Sequence, residues 1–236
     1  EQGMGDLILH SSMIKDLYQI QNNICLTVDE RLVSLFKRSF EMIEIYGYQK
    51  KLYYKKEDSH IPLASLGSFL RNSIDDFPKN PRSYILPDTK KINYFKKKFI
   101  KNKKLKIGLS WRTIGDRNIQ RNISFEKMSK FLSLKKFEFI NLQYGDSSTE
   151  RKKFKKKFNK EILNFNNIDL TNDFESLAAI IKNCDLIITI SNTIAHLSAA
   201  IGKETWIIVP LNTQWHWFHK RKNSLWYPQV RLFRQK

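Results

Sequence analysis

The sequence is short of cysteine, of acidic residues and of long apolar runs. Its two cysteines, Cys25 and Cys184, lie in apolar segments, so it offers neither a disulfide framework nor a metal-binding cysteine cluster. We expect both thiols to be reduced core groups. No apolar run approaches the ~20 residues of a membrane-spanning helix, and no signal peptide or solenoid repeat is visible. These absences favour a cytoplasmic protein.

Acidic residues number 23 against 42 lysines and arginines, a formal net charge of +19. Nucleic-acid binding could produce such an excess, but no recognisable nucleic-acid motif is present. Membrane-surface binding is a minority option for the basic helix predicted at 151–160, which would place the protein at the inner face of the membrane. We attribute most of the excess to a background rich in lysine, asparagine and isoleucine. The positive field still favours anionic substrates or headgroups.

The most informative segment is 184–210, CDLIITISNTIAHLSAAIGKETWIIVP. Its β-branched runs at 185–190 and 205–209 predict two buried parallel strands. The residues between them, 194–201, predict a helix, and Gly202 stands where a C′ glycine belongs. The segment therefore predicts a strand, a tight turn, a helix and a second strand.

The start of that helix is a candidate anion site. A helix that begins at the carboxyl end of a parallel strand presents free N–H groups and a partial positive charge. Ser191, Asn192 and Thr193 each offer a side chain that can cap the helix. Thr193 and His196, one turn apart on the rim, can each donate to a phosphate oxygen. The ordinary alternative is a capped βαβ unit with a half-buried histidine.

Residues 1–88 predict a smaller α/β unit. Gly3 and Gly5 suit a sharp turn from a strand into a helix. We expect that strand, and a further region, to precede Glu1, because the chain does not begin with methionine. The predicted elements are a helix at 7–20, a strand at 24–28, a helix at 30–38, a strand at 42–46 and a short helix within 60–70.

A lysine-dense segment, 89–104, predicts a solvated linker, with Phe95 and Phe99 at helical spacing as the sign of an amphipathic helix. The remainder, 105–236, alternates strands and helices, which predicts a parallel sheet with right-handed crossovers. The further elements we predict are strands at 105–111, 137–142 and 168–170 and helices at 124–132, 147–160 and 173–183.

Two such units place the carboxyl ends of their strands toward one cleft, where ligands bind. The first unit offers Asp6, and the second offers Ser110, Arg112, Arg121 and the helix start. A carboxylate that faces an anion site suits group transfer from a phosphate leaving group. Helix capping is an equal alternative for Asp6, and a surface charge is the alternative for each arginine.

Several stretches resemble glycosyltransferase family 9, the heptosyltransferase-like group, and most closely the domain that follows tetratricopeptide repeats in bacteria. They are EQGMGDLI at 1–8, HIPLASL at 60–66, KIGLSWRT at 106–113, DLIITISNTIAHLSAAIGKETWIIVP at 185–210 and WHWFHKRKNSLWYPQVRLFRQ at 215–235. The resemblance implies an α/β, GT-B-like fold: two Rossmann-like parallel-sheet domains that face a cleft. It also implies upstream repeats, no required metal and no cofactor beyond a nucleotide-diphosphate sugar donor.

The resemblance also implies roles. Asp6 matches the general base that would drive inverting attack by a glycan, lipid-linked or protein acceptor. Arg121 matches a basic residue on the donor phosphates. The diphosphate-binding helix start is matched by Thr193, Ile194, Ala195 and His196, and the family often has aspartate where Asn192 stands. The alternative is a catalytically inactive module that binds a sugar nucleotide or a partner beside a repeat domain.

Overall fold

The structure is a computed structural model that describes residues 3–51, 53, 55, 58–99, 103–113 and 121–235. Its first unit contains two parallel strands, β1 (Cys25–Val28) and β2 (Glu44–Gly47). The predicted helix at 7–20 begins earlier, at Met4, and is interrupted by a 3₁₀ turn. The helices of this unit are α1 (Met4–His10), α2 (Ile14–Tyr18), α3 (Val33–Ser39) and α4 (Gly67–Leu70).

The second unit is a five-stranded parallel sheet in the order β4-β3-β5-β6-β7. The β-branched runs of the central motif form β5 and β6, in the middle of the sheet as predicted. Because every strand runs the same way, all carboxyl ends meet at one edge. The strands are β3 (Leu105–Ser110), β4 (Phe137–Asn141), β5 (Leu186–Ile190), β6 (Thr205–Val209) and β7 (Val230–Arg234).

Helices cover the two faces of this sheet. On one face, α6 (Phe125–Leu132) and α7 (Ser148–Phe158) enclose an aromatic core with β3 and β4. On the other face lie α5 (Thr89–Phe99), α8 (Phe174–Asn183) and α9 (Thr193–Ala200). That second core continues into the first unit, whose α1 packs directly against α9. The shared core fixes the starts of α1 and α9 next to each other.

The loop that closes the first unit also holds the end of α9. The N–H groups of Tyr84 and Ile85 donate to the carbonyl of Ala200 at 3.0 and 3.1 Å. Gly202 follows with φ of 81°, a left-handed conformation that favours glycine, and confirms the predicted C′ position. The N–H of Lys203 then closes the cap on the carbonyl of Ser198 at 3.0 Å.

Three expectations are wrong, and one strand was not predicted. The favoured solvated linker is wrong for 89–99, which forms the helix that the spacing of Phe95 and Phe99 indicated and buries both rings against α8. Residues 168–170 are not a strand; they lead into a turn at 170–172, where the Asp169 carboxylate accepts from Thr171 and Asn172. The strand that was not predicted is β7. Cys25 is exposed, whereas Cys184 is buried as expected. The domain boundaries at 88 and 104 stay predictions.

Candidate active site

A polar cavity of about 370 Å³ lies where the starts of α1 and α9 meet. It opens at the carboxyl edge of the five-stranded sheet, the position where ligands bind open α/β sheets. The structure brings together seven of the residues singled out from the sequence. They are Gly3, Gly5, Asp6, Arg121, Asn192, Thr193 and His196.

Asn192 organises the start of α9. Its Oδ1 accepts the N–H groups of Ile194 and Ala195 at 3.0 and 3.3 Å, as an N-cap side chain does. The same oxygen accepts the Thr189 hydroxyl at 3.1 Å, and Nδ2 donates to Ser110 Oγ at 2.9 Å. The carboxamide therefore ties α9 to the ends of β5 and β3 through both its donor and its acceptor.

This cap corrects the predicted role of two residues. Ile194 and Ala195 are buried, and their N–H groups are already bonded to Asn192, so they are not available to a phosphate in this arrangement. Among the described residues, neither the N–H nor the hydroxyl of Thr193 has a hydrogen-bond partner. The anion-binding capacity of the helix start is therefore concentrated at Thr193.

Ser110 and Arg112 lie outside the cavity lining. Ser110 is buried and donates to Gln143 Oε1 at 3.3 Å. The guanidinium of Arg112 bonds the carbonyl of Asp146 and lies 3.5 Å from a carboxylate oxygen of Glu150. Arg112 is thus paired outside the cavity lining, and we do not assign it to the donor phosphates.

Arg121 lines the cavity and is held by a residue that sequence analysis missed. With its amide oxygen turned to Arg121, Gln214 accepts from Nε and Nη2 at 2.8 Å, and its Nε2 donates to Ser191 Oγ at 2.9 Å. Trp217 Nε1 also donates to Ser191 Oγ at 2.6 Å. Burial lowers the pKa of Arg121, and the nearby Asp6 carboxylate offsets part of that shift. An arginine side chain is not deprotonated in proteins, so the Arg121 guanidinium stays charged.

His196 lies in the first turn of α9 and is 4% exposed. Its Nδ1 is 3.1 Å from the hydroxyl of Tyr227. The hydroxyl of Tyr84, 3.4 Å from that of Tyr227, donates to the carbonyl of Ile8 at 2.8 Å. Tyr227 can therefore donate to Nδ1, which leaves the proton of a neutral imidazole on Nε2. The opposite edge of the ring, with Cδ2 and Nε2, faces Gly5 at the start of α1.

The imidazoles of this region are neutral at physiological pH. Burial lowers the pKa of His196 well below its ordinary value, and His216 and His10 lower it further. Burial lowers the pKa of His216 to about 3, with His10 and Arg121 adding to the shift. A neutral His196 still offers Nε2–H as a hydrogen-bond donor to an anion.

The opposite wall is the first turn of α1. A Cβ placed on Gly5 would lie 3.0 Å from Cδ2 of His196, so a larger residue would require the imidazole to shift by a few tenths of an ångström. Asp6 points into the same space and is half-buried. Among the described residues, no hydrogen bond or ion pair engages its carboxylate, and Gly3 offers no side-chain cap. The proposed capping role of Asp6 is therefore absent from this arrangement.

The tail aromatics divide into two groups. Trp217, Trp226 and Tyr227 are buried and fasten the tail to the core. Trp215 is instead 64% exposed and lines the cavity. The crowding of aromatic residues in 215–235 is the sequence signal that marks Trp215, whereas no sequence pattern points to Gln214 or His216.

The described residues contain neither a candidate membrane-spanning helix nor a candidate metal site. No helix in that part of the chain has both the length and the apolarity to cross a bilayer. The same part contains no group of three or more histidine, cysteine, aspartate or glutamate side chains placed to hold a metal ion.

Comparisons with known proteins identify the fold. No family model matches the chain. Protein FlbA of Caulobacter vibrioides is 28% identical over 254 aligned positions that cover 99% of this chain. The chain spans only 42% of that relative.

Two solved structures extend over nearly the whole chain at 10% identity. A glycosyl transferase family 9 protein from Veillonella parvula has a TM-score of 0.62, covering 99% of this chain and 84% of that one. The ADP-heptose lipopolysaccharide heptosyltransferase II of E. coli has a TM-score of 0.63, covering 100% and 89%. This chain therefore has the GT-B-like fold of heptosyltransferases, as predicted.

Proposed function

We propose that this chain is a glycosyltransferase that moves a sugar from a nucleotide-diphosphate sugar to an acceptor hydroxyl, with inversion. One observation carries the proposal. The unpaired carboxylate of Asp6 lies across a polar cavity from Thr193, His196 and Arg121, which form a set of donors for an anion. The likeness of the fold to sugar-transferring enzymes supports it.

The donor side suits a diphosphate leaving group. Arg121 supplies a fixed positive charge, and a guanidinium binds phosphate oxygens in a bidentate fashion. Thr193 offers its N–H and hydroxyl, and His196 offers Nε2–H. These donors are held in place before ligand arrives by the capping network and by Gln214, so they need little reorganisation as negative charge develops.

Asp6 serves as the general base. It accepts the proton of the acceptor hydroxyl while that oxygen forms a bond to the anomeric carbon. The bond between the anomeric carbon and the diphosphate oxygen breaks, and its electron pair leaves with the nucleoside diphosphate. Attack from the side opposite the leaving group inverts the configuration. Such bases typically contribute ~10²–10⁴ in rate.

The test is a screen of nucleotide-diphosphate sugars by thermal shift, followed by measurement of nucleoside diphosphate release. A donor at one hundred times its Kd raises the free energy of unfolding by about 2.7 kcal/mol. We expect one donor class to stabilise the protein and to release its nucleotide in an Asp6-dependent manner. Binding without release would favour the inactive sugar-nucleotide module, and failure of every donor to bind would refute both.

The screen also identifies the sugar, whether heptosyl or hexosyl, and the nucleotide base. The further expectations of a metal-independent reaction, upstream tetratricopeptide repeats and work at the inner face of the membrane belong to the same proposal.

A further inference from the structure

A second cavity, of about 540 Å³, adjoins the candidate active site. It forms where the α4 region of the first unit meets the aromatic tail of the second, and we call it the aromatic pocket. Its walls include the rings of Phe77, Trp215 and Trp226 and the polar side chains of Arg71 and Asn72. Trp215 lines both the aromatic pocket and the active-site cavity, so the two spaces adjoin at its indole.

The described lining of the aromatic pocket offers no unpaired positive charge that could bind an anion. Arg71 is the one charged side chain among its described lining residues, and its Nη2 is already paired with Asp16 at 2.5 Å. This contrasts with the active-site cavity, where Arg121 has no carboxylate bonded to it in the described part of the chain. A phosphate therefore suits the active-site cavity, and a neutral ligand suits the aromatic pocket.

The pocket combines ring faces with exposed polar side chains. Ser68, Asn72 and Ser73 line it together with the aromatic rings, and all three are exposed. The Nδ2 of Asn72 donates to the carbonyl of Phe69 at 3.2 Å, so its amide oxygen is left to accept from a ligand. The hydroxyl groups of a ligand can hydrogen-bond to such side chains. A purely aliphatic lipid chain cannot.

Trp215 provides the exposed ring. Its indole stacks on His10 at 6.1 Å between centroids and 12° between planes, and it meets Trp226 edge-on at 6.1 Å. These contacts hold a large apolar ring at the boundary of the two cavities while 64% of the residue stays open to solvent. The rigid ring can pack against the apolar face of a sugar at little cost in conformational entropy.

We propose that the aromatic pocket binds a neutral saccharide ring of the acceptor, with Trp215 as the stacking surface that holds it beside Asp6. The ligand's role as the acceptor rests on the proposed function. The binding of a saccharide in this pocket does not depend on that function. The occupant is a polyhydroxylated ring because it offers both an apolar face for Trp215 and hydroxyl groups for Ser68, Asn72 and Ser73.

The experiment uses saturation-transfer NMR with uncharged methyl glycosides of glucose, galactose, mannose and N-acetylglucosamine. Gly67 lines the pocket, and a Cβ placed there meets no atom within 4 Å, so Gly67→Phe starts a bulky side chain from open space beside the pocket. We expect at least one glycoside to bind the unmodified protein. Gly67→Phe and Trp215→Ala should each weaken that binding roughly tenfold or more.

Two comparisons keep the test specific. Trp206→Ala removes an indole at a different cavity, on the sheet, and should leave glycoside binding unchanged. Gly67→Ala should weaken binding less than Gly67→Phe if the pocket is filled progressively. Circular dichroism and thermal unfolding of each variant report folding.

Three results would overturn the inference: no glycoside binds, a neutral serine–threonine peptide binds instead, or the pocket variants lose nucleoside diphosphate binding in place of glycoside binding. The last result would make the pocket a nucleobase site. The proposed function is tested separately by titrating the unmodified protein with UDP, ADP and GDP. Glycoside binding without nucleotide binding would refute the proposed function and leave the saccharide site standing.

Discussion

Two helix starts face each other across the cavity, and they are built differently. At the start of α9, Asn192 accepts two backbone N–H groups and donates to Ser110, so the polar groups are interlinked. At the start of α1, Gly3 gives no side-chain cap, and the Asp6 carboxylate has no bonded partner among the described residues. One wall is preassembled, whereas the other presents a reactive group.

The difference matches two different tasks. A leaving group is best stabilised by donors that do not move as charge develops. A general base must instead keep its oxygens accessible to a substrate proton. The contrast predicts that changes at α1 act mainly on turnover, while changes at α9 act on stability and donor affinity. Four substitutions or changes of condition test this difference between the two walls.

Asp6→Asn should lower turnover by ~10²–10⁴ while leaving stability nearly unchanged, because it removes the base without disturbing a bonded network. Initial-rate measurements of nucleoside diphosphate release at saturating donor check this expectation. Urea unfolding of the same variant serves as the control. Full turnover in Asp6→Asn would remove the contrast between the two walls.

Acidification should destabilise the α9 wall. His196 and His216 have folded pKa values below their unfolded value of about 6.5, and burial is the main cause. The unfolded state therefore binds more protons below that pH, so the stabilisation is complete above about pH 6.5 and is lost as pH falls toward 3. Between pH 7.5 and 5 the loss from His216 is about 2 kcal/mol, at 1.36 kcal/mol per pKa unit. His196 adds a loss in the same direction.

Denaturant unfolding at several pH values measures this loss. His216→Gln should remove about half of the pH dependence, since one of the two buried imidazoles is then absent. Unfolding free energies that are flat between pH 7.5 and 5 in the unmodified protein would contradict the burial of neutral imidazoles at this site.

Arg121→Ala should weaken nucleoside diphosphate binding by about 10- to 150-fold, the equivalent of losing hydrogen bonds to a charged group worth about 1.5–3 kcal/mol. Arg112→Ala is the matched control, because that guanidinium is paired with Glu150 outside the cavity lining. Isothermal titration of both variants measures the difference. Equal losses, or a larger loss in Arg112→Ala, would show that the wrong arginine was assigned to the phosphates.

Asn192→Ala should cost about 1 kcal/mol of unfolding free energy, the usual worth of an N-cap. Asn192→Asp keeps an oxygen that can accept the N–H groups of Ile194 and Ala195, so it should retain most of that stability. Urea denaturation of the two variants distinguishes the contribution of the capping oxygen from that of the amide N–H that donates to Ser110. Equal destabilisation by both substitutions would assign the effect to the bond with Ser110.

Local patterns made the central motif predictable, and distance in sequence set the limit. The β-branched runs, Asn192 and Gly202 define β5, α9 and β6 within one short segment, so each element was placed correctly. The contact between Gln214 and Arg121 joins distant segments and left no local pattern. The burial of α5 was missed because its lysines outnumber the two phenylalanines that decide its packing.

The residue types in a sequence identify possible phosphate-binding groups, but they do not show which of those groups are free to bind. Thr193 and His196 could be selected as anion donors from their spacing alone. The sequence could not show that Asn192 would occupy the N–H groups of Ile194 and Ala195, because that depends on the orientation of one side chain. For the same reason, the two arginines near β3 could not be told apart before the structure placed Arg112 beside Glu150.

A crystal structure of the protein with a bound nucleoside diphosphate tests the central claim most directly. The account predicts phosphate oxygens within hydrogen-bonding distance of the Thr193 N–H, His196 Nε2 and the Arg121 guanidinium, with Asp6 across the cavity from the terminal phosphate. Phosphates bound away from the start of α9, or on the same side as Asp6, would contradict it.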